Sequence, residues 1–106
     1  AGGLASKASY KGRAYYGAAR AQYFAEKLAE AADSYGRAAE AVLKAGRSGR
    51  KKWAEWEFER ASLLIKLDRK QDATGVLTRI VSDAPECSAK ERARKELQRL
   101  KGSAGG

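Results

Sequence analysis

Apolar positions recur every three or four residues along most of this chain and nowhere alternate with period two, which predicts helices and no sheet. From Arg13 to Ala32, the residues Tyr16, Ala19 or Arg20, Tyr23 or Phe24, and Leu28 fall on one helical face. Gly12 and Gly17 weaken the start of that segment. Asp33 and Ser34 are residue types whose side chains accept the free N–H groups of a helix start, and they predict a second helix through Arg37 to Ala45. Ala38, Val42 and Ala45 would face its core. Gly46-Arg47-Ser48-Gly49 stops it, with glycine suited to a left-handed cap. A third helix over 51–67 is the most apolar segment, with Trp53, Trp56, Ala61, Leu64 and Leu67 in one stripe and Phe58, Leu63 and Ile65 widening it. A fourth, over 71–82, presents Ala73, Leu77, Ile80 and Val81. Pro85 ends it, because proline disfavours helix in the residue before it. Ser88-Ala89-Lys90-Glu91 reads as a capping box, opening a last helix over 88–101. That helix carries only Ala93, Leu97 and Leu100 as a stripe, which suits a terminal element with one wet side.

This pattern predicts one all-helical domain over 13–101, divided into a first hairpin (13–46), a second hairpin (51–85) and a capping helix (88–101). Residues 1–12, small and polar with a glycine pair, are expected as a flexible basic tail, and 102–106 as a flexible C-terminal one. Leu, Ile, Val and Phe number only 16 of 106 residues, whereas alanine numbers 22. Helix is therefore easy to form, but a deep core is not. A chain so built is expected to lean on a partner or an oligomer, whose size the sequence does not set.

The inventory of reactive groups is narrow. There is no histidine and one cysteine, Cys87, so the sequence offers no disulfide framework, and a zinc or redox-metal site would rest on carboxylates alone. Glu55, Glu57 and Glu59 alternate around a helix instead of converging, and no glycine loop of phosphate-binding pattern occurs. Neither an enzyme nor a cofactor is expected. No run approaches the roughly 18 apolar residues that cross a bilayer. Methionine is missing even at position 1, so removal of a targeting peptide is one expectation. A soluble chain in a reducing compartment, either the cytoplasm or an organelle interior, fits these features.

Ala61, Leu64, Ala73, Leu77, Ile80 and Pro85, in the string LLIKLDRKQDATGVLTRIVSDAP, resemble one tetratricopeptide repeat, a helix-turn-helix of 34 residues. Small residues let two antiparallel helices cross closely, and the larger ones fill the groove to the next hairpin. Tyr35, Ala38 and Val42, with Phe24, Ala25 and Leu28 before them, resemble a poorer copy that lacks the closing proline. The resemblance spans about residues 18–100. It implies an all-α superhelix of hairpins that binds a protein partner in a concave groove lined by first helices. It places Glu55, Phe58, Ser62, Ile65 and Lys66 in that groove, where they would otherwise contact the preceding hairpin. Phe58 and Ser62 fall where the family's carboxylate-clamp residues are expected, and the chain has no asparagine, so a chaperone-tail receptor is not expected.

The net charge of +9 is unevenly spread. Residues 1–25 hold Lys7, Lys11, Arg13 and Arg20 without an acid, and residues 44–52 hold Lys44, Arg47, Arg50, Lys51 and Lys52, again without one. Lys11, Arg13, Arg47, Arg50, Lys51 and Lys52 are the candidate contacts to a polyanion or an acidic partner. Tyr10 to Gly17 interleaves tyrosines with cations, as segments that stack on bases and neutralise phosphates do, and as protein interfaces also do. A protein partner or multi-subunit complex leads this reading. RNA is the alternative, and an anionic membrane surface is a third option. Trp53 and Trp56 are expected in the core, with a partner anchor as the alternative role.

Overall fold

The computed structural model describes the backbone of residues 3–46 and 48–105 and the side chains of residues 10–46 and 49–102. Among the described residues five helices form: α1 (Gly3–Phe24), α2 (Leu28–Leu43), α3 (Ser48–Lys66), α4 (Lys70–Asp83) and α5 (Ser88–Gly105). No strand occurs among the described residues. No described helix is long and apolar enough to cross a membrane.

The first helix break lies at 25–27 and not at Asp33-Ser34. Glu26 takes the left-handed conformation (φ 63°), its N–H bonds the Tyr23 carbonyl at 3.0 Å, and the Lys27 N–H bonds that of Gln22 at 2.9 Å. The turn between α3 and α4 repeats this geometry. Asp68 has φ 61°, its N–H reaches Ile65 at 3.0 Å, and Arg69 reaches Leu64 at 2.8 Å. Each pair of bonds satisfies carbonyls at a helix end, which offsets the roughly 1–2 kcal/mol a non-glycine residue loses in that conformation. Asp33 and Ser34 sit inside α2 instead. Asp33 accepts from Arg37 Nε at 3.1 Å, and the buried Ser34 hydroxyl donates to Gln22 Oε1 at 2.6 Å across the α1–α2 interface. The two turns stand 42 positions apart, Glu26 to Asp68, where a tetratricopeptide unit takes 34. Between the two turns lie α2 of 16 residues and the long α3 of 19, which together with their connection take up the difference.

The remaining boundaries correct the tails and keep the stops. Residues 3–12, expected as a tail, belong to α1, and helix continues through the C-terminal GSAG to Gly105. Gly46 adopts φ 103° after α2, and Ala84 before Pro85 is extended (φ −77°, ψ 149°), as the sequence predicts. The capping box is not made. Glu91 pairs with Arg94 Nη1 at 3.1 Å in place of reaching back to Ser88.

Consecutive helices pack against each other, and α3 is central, touching α2, α4 and α5. It also meets α1 through Tyr16, stacked on Trp56 at 4.8 Å, and through Tyr23, whose hydroxyl accepts from Lys66 Nζ at 3.3 Å. These pairings ascend together in both helices, so α1 and α3 run parallel, with α2 antiparallel to both. The Cα envelope of 53 × 32 × 17 Å is about two helices thick at an axis separation of ~8–10 Å. Alanine makes the crossings: Ala19, Ala31, Ala38, Ala39, Ala54, Ala73 and Ala93 are fully buried. Leu77 and Ile80 are the largest side chains fully enclosed, so the core is thin, as its composition dictates. Trp53 and Trp56 belong to it, whereas Phe24, placed on the core stripe by periodicity, is 71% exposed.

Candidate functional site

Because alanine and glycine line the outer side of α2, a groove of about 840 Å³ opens there between α1 and α3. Ala29, Ala32, Gly36 and Ala41 supply its small residues. Lys11 and Tyr15 border it from α1, Arg60 and Leu64 from α3, and Arg69 from the α3–α4 turn, while Arg37 rises from α2 and Lys44 from its C-terminal cap. Five cations thus face two carboxylates, Asp33 and Glu40. Three of the five are held by acids: Arg37 by Asp33 at 3.1 Å, Arg60 by Glu57 at 3.2 Å and Arg69 by Asp72 at 2.8 Å. Lys11 and Lys44 form no ion pair among the described residues. The Arg60 side chain lies over Gly36, whose missing Cβ would sit 3.3 Å from Arg60 Cδ, so glycine gives the guanidinium its path into the groove.

The order of that guanidinium comes from a buried acid. Glu57 is 2% exposed, and Arg60 Nη1 donates to both its carboxylate oxygens at 3.2 Å. Burial pushes the Glu57 pKa up, while Arg60 and then Arg79 pull it down. On the other side of α3, Glu59 lies beside Arg20 and Tyr35, and its Oε2 is buried without a hydrogen-bond partner. Burial again raises its pKa, with Arg20 opposing. Tyr35 is also raised by burial. Of two glutamates two apart, Glu57 is thus enclosed and Glu59 half-buried, because the helix that carries them has neighbours on several sides. Their alternation gave no sequence signal of this.

The residues expected along the groove of first helices are largely engaged within the chain. Phe58 and Ile65 are half-buried against the core, the Ser62 hydroxyl donates to the Phe58 carbonyl at 3.1 Å, and Lys66 is tied to Tyr23. Glu55 is exposed. Arg79 lies over the Trp53 ring, 5.6 Å from its centroid.

Both basic stretches meet at one end of the bundle. A Cβ at Gly12 would lie 3.4 Å from Val42 Cβ, and one at Gly49 would lie 2.9 Å from the Val42 carbonyl carbon. Val42 is thus the point on which α1 and the start of α3 both rest. Lys11 and Arg13 flank the first contact, Arg50, Lys51 and Lys52 follow the second, and Lys44 lies two residues from Val42; all six are exposed. Arg47 lies outside the described residues, as does the Lys7 side chain. No family model, curated protein or solved structure matches this chain.

Proposed function

We propose that this chain is a non-catalytic interaction module, an accessory subunit that docks an acidic protein segment in the groove along α2. The carrying observation is that three helices and a turn direct five cations into one open groove of about 840 Å³ that holds two carboxylates. Complementary charge orients such a partner and speeds its encounter. Small residues along α2 let a partner backbone come close, and Tyr15 offers the kind of amphipathic ring that interfaces favour. Ala61, Leu64, Ala73, Leu77, Ile80 and Pro85, together with the two similarly built turns, support a tetratricopeptide-like scaffold for it.

Fluorescence anisotropy with a labelled, glutamate-rich helical peptide tests this reading. Ala29 is exposed, so Ala29→Trp fills the groove without entering the core. It is expected to weaken binding by about tenfold or more (~1.4 kcal/mol). If Ala29→Trp binds as the parent does while Phe58→Ala with Lys66→Glu abolishes binding, the docking face is α3 and the α2 groove is wrong.

A further inference from the structure

We propose that the end of the bundle around Val42 is a binding site for single-stranded nucleic acid, adjoining the α2 groove and sharing Lys11, Tyr15 and Lys44 with its rim. In the sequence its cations are two stretches more than thirty positions apart. In the fold, Gly12 and Gly49 rest on the same residue, which brings Lys11 and Arg13 to within about a helix diameter (~10 Å) of the start of α3. Lys44, Arg50, Lys51 and Lys52 complete the patch.

Two observations favour a nucleic acid. First, none of these six cations forms an ion pair among the described residues; the seven pairs that form lie elsewhere. No carboxylate occurs in α1 or between Lys44 and Ala54; Glu40, which lines the α2 groove with Lys11 and Lys44, and Asp83, which lines a cleft with Arg50, come within ion-pair distance of none of the six. Second, bare aromatic rings stand among the cations. Tyr10 is 78% exposed and Tyr15 is 37% exposed. They lie three and four residues from Arg13 and Lys11 respectively, so each ring shares a helical face with a cation. A ring open to water can take a base on its face while the neighbouring cation takes the phosphate, the arrangement by which single strands are held without sequence preference. An acidic segment docked in the α2 groove would meet Tyr15 but not Tyr10, which lies outside the groove lining.

The test is anisotropy with a labelled oligouridylate of about 15 nucleotides, a length that covers the site of one small domain. If six cations neutralise phosphates, log Kd changes against log salt with a slope of about 4, a loss of roughly 300-fold between about 50 and 200 mM. Replacing Arg50, Lys51 and Lys52 together by glutamine is expected to halve that slope to about 2. Tyr10→Ala with Tyr15→Ala should weaken binding by about tenfold or more and leave the slope unchanged. Ala29→Trp, about four helical turns along α2 from Lys44, should leave oligouridylate binding intact while it weakens the acidic peptide, which tells the two ligands apart despite the shared rim. All the changed side chains are exposed, and circular dichroism confirms that the helices persist. Equal or tighter binding of a polyglutamate of matched charge would overturn the inference in favour of an acidic protein, as would binding insensitive to salt or to loss of both tyrosines.

Discussion

Gly49 fixes where α3 begins, and with it the position of Arg50, Lys51 and Lys52. A methyl group at this position would meet the Val42 main chain, 2.9 Å from its carbonyl carbon and closer still to the oxygen, whereas real Cβ atoms essentially never come within 3.0 Å. A main-chain carbonyl cannot swing aside as a side-chain tip does. Gly49→Ala therefore has to push α3 away from α2 and break the Gly49 N–H bond to the Gly46 carbonyl, 3.0 Å in the parent. Overpacking of this kind costs about 1–3 kcal/mol and the lost bond about 1 kcal/mol. Alanine returns about 1 kcal/mol through helix propensity, leaving a net loss of ~1–3 kcal/mol. Gly17 provides the control within the same fold, because a Cβ there meets nothing within 4 Å. Gly17→Ala should gain about 0.8–1 kcal/mol. In urea melts followed by circular dichroism, or in thermal scans at about 4–8 °C per kcal/mol, Gly49→Ala should fall below the parent and Gly17→Ala rise above it. A Gly49→Ala protein as stable as the parent would refute the close approach of α3 to Val42, and with it the convergence of the two basic stretches.

Two further outcomes follow from buried groups. Burial raises the Glu59 pKa above its unfolded value of about 4.3, so the folded chain holds that proton over a range where the unfolded chain releases it. Stability from this group is complete below that value and is lost as pH rises through the raised one, since the folded state then binds more protons than the unfolded. Glu59→Gln cannot ionise, so its melting temperature should gain on the parent's between about pH 4 and pH 7; a gain that shrinks with rising pH would contradict the burial argument. Trp56→Ala removes a ring that is 6% exposed and stacked on Tyr16, and should cost about 3–5 kcal/mol. Phe24→Ala, at a ring 71% exposed, should stay within about 0.5 kcal/mol in the same denaturant assay.

The helical class, the stops at Gly46 and Pro85 and the core face of the second hairpin were all legible in the chain's local pattern. Each of these depends on contacts within a few residues: glycine's tolerance of positive φ, proline's clash with its predecessor, and the spacing of Ala61, Leu64, Ala73, Leu77 and Ile80. That pattern did not place the α1–α2 turn, because alanine-rich helix has no local reason to stop at Ala25-Glu26-Lys27. Asp33 and Ser34 offered a plausible cap that Ser34 gives up for Gln22 across the interface. Nor did periodicity expose Phe24, enclose Glu57 or half-bury Glu59, since one helix face cannot show how many neighbours a helix will have. The cations were legible as two runs of charge. That they share one end of the molecule emerges from packing alone, because two glycines without a Cβ let α1 and α3 close on the same valine.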